Sequence, residues 1–401
     1  MLFLSIPLIN ENELLPGLIK CIEEQSYQEF VAYFCVNQPD EWWDDPQKAF
    51  ICEENRKSLE MIHQINGFQK IVIDKSSKGK GWIGKKHGVG WARKTLMDTI
   101  NLQADQKDII LSLDADTTFN KLYFSTVSDN FRQHPGTTGL AVPYYHLPVE
   151  DTNAYRAILR YEIYMRYYSV NLWRIGSPYS FTALGSAMAC PVSAYRAIGG
   201  MTPKMSGEDF YFLQKLRKYG KLLFWNEEKV YPRARFSDRV YFGTGPAMIR
   251  GNAGDWGSYP VYPLRFFNEI HEFYQSLNGF YLKTNFNKVV EFLKMQFKEE
   301  DPFAPLRNNC NNEKQFIRSC HEKFDGLRIL QYLKTRHGEE PSVDEKNLID
   351  FFNLIYPVEF KALNINSDRF SFNLNDLEDF EKIRKLLVKI EEGYQINSVL
   401  S

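Results

Sequence analysis

The sequence lacks three features that would each point to a particular class of protein: paired cysteines, an excess of one charge, and a long apolar run. Its six cysteines include no CxxC pair. Several of the cysteines stand in apolar segments. We therefore expect reduced, mostly buried thiols in a cytosolic protein.

The charges balance almost completely, with 49 basic and 50 acidic side chains and a net charge of −1. This balance excludes the global basic footprint of a nucleic-acid-binding protein, so we expect no nucleic-acid partner. No stretch approaches the roughly 18 apolar residues of a membrane-spanning helix. Residues 1–9 are apolar, contain no basic n-region and meet Asn10-Glu11 at once, which predicts a first strand rather than a signal peptide.

Aromatic side chains are in excess and make up 15% of the residues. Such an excess often accompanies sugar binding, because ring faces pack on the C–H-rich faces of sugars. A core rich in Phe and Tyr is the structural explanation, and it is the one we favour. The hydrophobic share of 44% is that of a globular chain. Its length fits two domains, or one large domain with an appendage.

Strand and helix signals alternate through the first half of the chain. Apolar runs and helical spacing predict strands at residues 2–9, 30–36, 71–73 and 108–113, and helices at 14–22, 57–65 and 91–102. This alternation predicts an α/β fold with a mostly parallel sheet flanked by helices. Ligands in such sheets bind beyond the carboxyl ends of the strands.

The second half is less regular. We predict a long helix over residues 152–173, strand-like character over 221–230 and loops over 231–262. Two amphipathic helices, around 286–297 and 377–390, indicate a mainly helical last third, with Asn375 as the N-cap of the second.

Asp114 and Asp116 form an Asp-x-Asp pair directly after a predicted strand. Two carboxylates at the ligand-binding edge of a sheet suit a hard divalent cation that keeps coordination sites for phosphate oxygens. A polar strand end with a helix N-cap is the structural alternative. The strand context favours the metal site.

Glu208 and Asp209 open a predicted amphipathic helix. Acidic residues in a first helical turn complement the helix dipole, which is the common structural explanation. The functional explanation is that one carboxylate accepts the proton of an attacking hydroxyl. Taken alone, the pair favours the structural explanation.

Two basic segments complete the candidates. Residues 75–94 hold seven Lys or Arg with five glycines and no acidic residue, which fits a diphosphate-binding loop, a solvated loop or a local nucleic-acid patch. Arg233, Arg235, Arg239 and Tyr241 precede Gly243-Thr244-Gly245 and form either a segment that closes over a ligand or a surface turn. His146 and His271 are candidate third metal ligands that we do not favour.

Taken in chain order, these residues resemble the GT-A glycosyltransferases of family 2. The segments that carry the resemblance are Ser5 to Glu11, Leu18 to Gln25, Gly88 to Lys94, Leu113 to Asp116, Leu184 to Ser186, Ala197 to Met201 and Gly207 to Asp209. The spacing of about 90 residues between the two acidic motifs is also typical of the family. The resemblance covers roughly residues 1–250 and implies a nucleotide-diphospho-sugar transferase fold with a helical C-terminal appendage. It implies a catalytic domain over 1–260, with a nucleotide-binding half at 1–116 and an acceptor half at 117–260, and a mainly helical region over 261–401.

The resemblance implies a role for each matching residue. The nucleotide-sugar donor site would contain Pro7, Asn10, Glu11, Asn37, Lys85, Arg93, Asp114, Gly185 and Ser186. Mn²⁺ or Mg²⁺ would be held by Asp114 and Asp116. Asp209 would be the general base, with Glu208 beside it.

Two departures from the family pattern bear on function. Asn37 stands where many relatives carry an Asp that recognises the base, so the identity of the base stays open. The region after the acidic motifs has no Q-x-x-R-W pattern; that pattern belongs mostly to processive polymerases, so its absence argues for single-sugar transfer.

The activity that the resemblance implies is inverting transfer from a UDP- or GDP-sugar to a hydroxyl of a glycan or lipid-linked acceptor, in surface-polysaccharide or glycoconjugate synthesis. We expect a cytoplasmic protein, with peripheral contact at the inner face of the membrane left open. A sugar-phosphate nucleotidyltransferase is disfavoured, because Asn10-Glu11-Asn12 stands where it needs a Gly-rich basic loop. A non-catalytic nucleotide-sugar-binding scaffold is the other alternative, and the retained carboxylates argue against it.

Overall fold

A computed structural model describes residues 1–237, 243–280 and 287–400 of the chain. Arg239 and Tyr241, which the sequence singled out, lie outside these ranges, as does Phe286 at the start of the helix predicted around 286–297. Among the described residues, none of the helices has the length and apolar character needed to cross a membrane.

The secondary structure follows the predicted alternation and then becomes helical. The strands are β1 (Leu2–Leu8), β2 (Phe30–Asn37), β3 (Lys70–Lys75), β4 (Ile109–Ser112), β5 (Thr117–Phe119), β6 (Thr137–Ala141), β7 (Met188–Pro191), β8 (Lys221–Leu223) and β9 (Val230–Pro232). The helices up to residue 252 are α1 (Leu15–Glu23), α2 (Ala49–Gln64), α3 (Val89–Gln103), α4 (Tyr123–Gln133), α5 (Thr152–Arg174), α6 (Val192–Ala197), α7 (Glu208–Tyr219) and α8 (Thr244–Asn252). The later helices are α9 (Leu264–Phe280), α10 (Lys288–Phe297), α11 (Ala304–Asn309), α12 (Glu313–Lys323), α13 (Gly326–Glu339), α14 (Asp344–Ile355), α15 (Pro357–Lys361) and α16 (Leu377–Leu400).

The main sheet has the strand order β3-β2-β1-β4-β7-β6-β8. Strands β1 to β4 pair in parallel, as do β6 and β8, while β7 runs antiparallel to both of its neighbours. The strands β1, β2 and β4 are buried along their whole length, which is why they appear in the sequence as continuous apolar runs. The predicted α/β fold with a mostly parallel sheet is confirmed.

The reversed direction of β7 brings two distant loops together. Met188, the first residue of β7, pairs with Ser112, the last residue of β4. The loop that ends at Ala187 therefore meets the loop that begins at Leu113. Both lie at the carboxyl edge of the parallel strands, where ligands bind in sheets of this kind.

A second, two-stranded sheet pairs β5 with β9. Thr117 lies opposite Pro232, and the backbone N–H of Arg233 donates to the carbonyl of Asp116 at 3.0 Å. The prediction of loops over 231–262 was wrong for part of that range, because β9 extends to Pro232 and α8 occupies Thr244–Asn252. Neither element has the periodic apolar pattern on which the prediction depended.

The chain divides into two compact units. The first holds residues 1–158, 182–255 and the segment from Gln395 on, and it contains every described strand. The second holds residues 159–181 and 256–394. The predicted boundary near residue 260 stays a prediction; the structure adds residues 159–181 to the helical part.

Within the second unit, buried charges are paired. Glu162 accepts from Arg166 at 2.7 Å and from Arg384 at 3.1 Å, and Arg166 also pairs with Glu391. Such pairing keeps each buried charge compensated. Asn375 is not the N-cap that the sequence predicted, because α16 begins only at Leu377 and the Asn375 amide donates to Asp379 at 2.7 Å.

Candidate active site

The Asp-x-Asp pair lies where the sequence predicted it, just beyond the end of β4. The backbone N–H of Leu113 donates to the Ser5 carbonyl of β1 at 3.1 Å, and the N–H of Thr117 closes a turn onto the Asp114 carbonyl at 3.1 Å. This turn leaves the side chains of Asp114 and Asp116 partly exposed, at 31% and 19%. Both carboxylates are therefore accessible to a ligand at the sheet edge.

Arg93, on the first turns of α3, connects the two acidic motifs. Its guanidinium is 1% exposed and donates from Nη2 to Asp114 Oδ1 at 2.8 Å and from Nε to Glu208 Oε1 at 3.3 Å. It also donates from Nη1 to the Gly185 carbonyl at 3.0 Å and to the Ser112 hydroxyl. Burial lowers the pKa of Arg93, but the carboxylates of Asp114 and Glu208 outweigh it and hold that pKa above its ordinary value.

Gly185 leaves room for the Arg93 guanidinium, which a larger residue at this position would displace. A Cβ atom at position 185 would lie 2.4 Å from Arg93 Nη2, well inside van der Waals contact. The neighbouring Ser186 is buried. Gly185 thus supports the position of Arg93 as well as standing in the loop that leads to β7.

Glu208 and Asp209 begin α7, directly after Gly207 at φ 76°. The left-handed backbone of Gly207 turns the chain so that both carboxylates open the helix. Burial, and secondly the neighbouring Glu208 carboxylate, raises the pKa of Asp209 to about 7. Burial also raises the pKa of Glu208, against the opposing effect of Arg93. A carboxylate with a pKa near neutrality is suited to act as a general base.

Asp116 belongs to a second charged group, which the sequence did not predict. Arg235, three residues after β9, donates from Nη2 to Asp116 Oδ2 at 2.8 Å and to Glu11 Oε1 at 2.6 Å. Glu11 is buried, with 5% of its side chain exposed. Of the basic segment singled out after residue 231, Arg235 contacts Asp116 and Glu11, while Arg233 is exposed.

The residues predicted to border the nucleoside lie at the ends of β1 and β2. Pro7 is within β1, and Asn10 has φ 53° with its N–H donating to Asn55 Oδ1 at 2.8 Å. Asn37 is 1% exposed; its amide donates to the Leu8 carbonyl at 2.8 Å and accepts from Trp82 Nε1 at 3.0 Å. Asn37 therefore orients Trp82, a residue that the sequence interpretation missed.

The basic loop before α3 is held by carboxylates. Lys78 pairs with Asp44 at 2.9 Å and Lys80 with Asp74 at 3.1 Å. Asp40 accepts from the backbone N–H groups of Gly79 and Gly81 at 2.7 and 3.1 Å. Lys85, predicted to contact the donor, is exposed. The carboxylates that pair with Lys78 and Lys80 weaken the case for a nucleic-acid patch in this loop.

Across the described ranges, no group of three His, Cys, Asp or Glu side chains has the arrangement of a metal site. His146 is 1% exposed beside the Tyr144 ring, and His271 lies 3.4 Å from the Ile175 carbonyl. Mg²⁺ and Mn²⁺ sites at phosphates commonly use one or two carboxylates and complete their coordination with water and phosphate oxygens. Asp114 and Asp116 fit a metal held in that way.

Residues 109–250 match a family model described as glycosyl transferase family group 2. These residues thus form part of a domain similar to the family 2 glycosyltransferases, and the match covers 142 of the 401 residues. The matched segment of this domain runs from β4 to α8 and includes both acidic motifs, Gly185 and Arg235. No curated protein matches the sequence.

Solved glycosyltransferase structures are similar to the chain over most of its length. One is S. aureus TarS 1–349 in complex with UDP-GlcNAc, at 13% identity and a TM-score of 0.41, covering 99% of this chain and 92% of that one. Another is the mannosyltransferase PcManGT from Pyrobaculum calidifontis in complex with GDP-Man and Mn²⁺, at 13% identity and a TM-score of 0.33, covering 96% and 86%.

The buried Arg93 predicts a large stability effect in the glycosyltransferase domain. Arg93→Met should lower the free energy of unfolding by about 3–5 kcal/mol at pH 7.5, because it leaves the carboxylates of Glu208 and Asp114 without their buried counter-ion. Urea denaturation measures this change. The matched control is Lys94→Met, which removes a part-exposed pair with Asp98 and should cost about 1 kcal/mol or less. Equal losses in the two variants would contradict the bridging role of Arg93.

Proposed function

We propose that the chain transfers a sugar from a nucleotide-diphosphate-sugar to an acceptor hydroxyl by a single displacement that inverts the anomeric configuration. The observation that carries the proposal is that Arg93 connects the Asp-x-Asp pair with the Glu208-Asp209 pair at one sheet edge. Arg93 bonds to Asp114 of the first motif and to Glu208 of the second, and Asp209, with its pKa near 7, follows Glu208.

The donor would bind at the carboxyl ends of β1, β2 and β4. Pro7, Asn10, Glu11 and Asn37 would border the nucleoside, directly or through Trp82, and Lys85 would approach the diphosphate. Asp114 and Asp116 would hold Mn²⁺ or Mg²⁺, which when bound neutralises charge on the departing diphosphate. Gly185 and Ser186 would flank the donor or acceptor phosphates.

The acceptor hydroxyl would be activated by Asp209. As the acceptor oxygen forms its bond to the anomeric carbon, the bond from that carbon to the diphosphate oxygen breaks, and the hydroxyl proton passes to an Asp209 carboxylate oxygen. Glu208, held by Arg93, keeps negative charge beside Asp209 and so makes it more basic. Attack opposite the diphosphate gives inversion.

The donor class and the biological role are further parts of the proposal. TarS is bound to UDP-GlcNAc and PcManGT to GDP-Man, which makes UDP- and GDP-sugars the first donors to test. We propose a glycan or lipid-linked acceptor, a role in surface-polysaccharide or glycoconjugate synthesis, and a cytoplasmic site of action with peripheral contact at the inner membrane face.

A panel of UDP-, GDP-, dTDP- and CMP-sugars tests the proposal. With Mn²⁺, sugar donors that share one base should raise the thermal unfolding midpoint of the protein, and EDTA should abolish the rise. Addition of a cell extract that contains the glycan or lipid-linked acceptor should then cause release of nucleoside diphosphate. Release of pyrophosphate instead would indicate nucleotidyl transfer. Binding with no release in any extract would support a non-catalytic scaffold, and no binding to any member would contradict the proposed donor site.

A further inference from the structure

Asp116, which we propose as a metal ligand, forms an ion pair with Arg235 in the structure. The Arg235 guanidinium contacts Asp116 Oδ2 through Nη2 at 2.8 Å and through Nε at 3.2 Å, and the same Nη2 reaches Glu11 Oε1 at 2.6 Å. Two N–H groups on one carboxylate oxygen, with a second carboxylate beside them, give a charge-assisted cluster.

The backbone places Arg235 there. The pairing of Thr117 with Pro232, and the hydrogen bond from the Arg233 N–H to the Asp116 carbonyl, hold the segment after β9 alongside the Asp-x-Asp turn. The guanidinium itself is 25% exposed, so it is held by its ion pairs and can leave Asp116 without the core being opened. The backbone of Arg235 is therefore fixed, while its guanidinium can move.

A divalent metal and a guanidinium compete for the same carboxylate oxygen. A divalent metal such as Mg²⁺ binds an oxygen at about 2.0–2.1 Å, and its positive charge would repel a guanidinium that contacts the same oxygen. A bound diphosphate removes the conflict, because its oxygens match the planar donors of a guanidinium. The Arg235 head group then has a new anionic partner within the same site.

We propose that Arg235 is a donor-site residue that neutralises Asp116 and Glu11 in the donor-free enzyme, competes there with the divalent metal, and transfers to the donor diphosphate when metal and donor bind. The proposal rests on the proposed function, since it needs a diphosphate donor. It explains how a site with two neighbouring carboxylates stays compensated before the donor arrives. It also makes metal binding dependent on the nucleotide.

The test uses Arg235→Gln, Arg235→Lys and the exposed neighbour variant Arg233→Gln in the full chain. Mn²⁺ affinity is measured without nucleotide by electron paramagnetic resonance, and UDP and GDP affinities are then measured by calorimetry in saturating Mn²⁺. Arg235→Gln should bind Mn²⁺ about tenfold more tightly than the wild type, and nucleoside diphosphate about tenfold more weakly, as expected for one charge-assisted interaction. Arg235→Lys should lie between, and Arg233→Gln should match the wild type in Mn²⁺ affinity.

The two measurements separate the parts of the proposal. Unchanged Mn²⁺ affinity in Arg235→Gln overturns the competition at Asp116. Tighter Mn²⁺ binding with unchanged nucleotide affinity overturns the transfer to the diphosphate. Wild-type protein that binds neither UDP nor GDP contradicts the nucleotide part of the proposed function, and the Mn²⁺ titration then still decides whether Arg235 competes with the metal. Arg235→Lys, which keeps the charge, serves if Arg235→Gln does not fold.

Discussion

Asp209→Asn should lower kcat by about 10²–10⁴-fold, the usual contribution of a general base, while the dissociation constant of the donor–Mn²⁺ complex stays within about twofold. The amide keeps the size of the side chain but cannot accept the hydroxyl proton. Because the base acts on the acceptor, donor binding has no reason to change. Single-turnover transfer and donor titration measure the two quantities separately, and a loss of donor affinity as large as the loss of rate would contradict the assignment.

A pH series distinguishes the base from a merely structural carboxyl. The raised pKa of Asp209, about 7, predicts that kcat/KM of the wild type rises with pH up to about 7 and that this limb disappears in Asp209→Asn. The folded state binds the Asp209 proton more tightly than the unfolded state, whose carboxyl has a pKa of about 3.9. That stabilisation is complete below about pH 4 and is lost as the pH rises to 7.

Stability therefore provides the control for this variant. At pH 8 the wild type carries a carboxylate that burial and Glu208 disfavour, whereas the asparagine variant does not. Asp209→Asn should be more stable than the wild type by up to about 4 kcal/mol at pH 8, the free energy that corresponds to a pKa of about 7 in the folded state against about 3.9 in the unfolded state, and nearly equal to it at pH 4. A variant that is inactive and also destabilised at pH 8 would point to misfolding instead of a lost base.

Asp116→Ala should abolish the Mn²⁺ dependence of donor binding. Loss of a carboxylate that holds the metal should weaken donor affinity in Mn²⁺ by about a hundredfold, or about 2.7 kcal/mol, because the metal loses one of its two protein ligands. Affinity in EDTA should change little. Calorimetric titration of nucleoside diphosphate with Mn²⁺ and with EDTA gives both values.

The control for this variant is Asp129→Ala, which removes a carboxylate from the surface of α4 where it pairs with Arg132. It should leave the Mn²⁺ dependence unchanged. If Asp116→Ala behaved like Asp129→Ala, Asp116 would not belong to the metal site. Circular dichroism should show both variants folded, because Asp116 is partly exposed and Arg235 keeps Glu11 as a partner.

Secondary structure is predicted best from the sequence where a strand is buried along its whole length. β1, β2 and β4 are continuous apolar runs, and their ends place Asp114 and Asp116 at the ligand-binding edge without further information. α2 was predicted only over 57–65, yet it begins at Ala49. Its first turns contain Glu53 and Glu54, which hide the apolar spacing.

Contacts between distant segments could not be predicted. Arg93 and Glu208 are 115 residues apart and Arg235 and Glu11 are 224 apart, and no local pattern records such a pairing. Arg93 was assigned to the donor site because of its motif. In the structure its guanidinium is buried between Asp114 and Glu208, where little of it is exposed to a ligand. The short strands β7 and β9 were missed because three or four residues are too few to show a period.

The direction of β7 bears on where the fold can accept extra residues. Ala141, at the end of β6, pairs with Met188, at the start of β7, so the long excursion over residues 142–187 leaves the sheet and returns to it at adjacent points. An insertion between these anchor points shifts the register of no strand in the main sheet, provided that it spares the paired residues of the excursion, such as Glu162, Arg166 and Gly185. Extra residues can therefore be added between the paired parts of the excursion, in evolution or by grafting, while β1, β2 and β4 stay as they are.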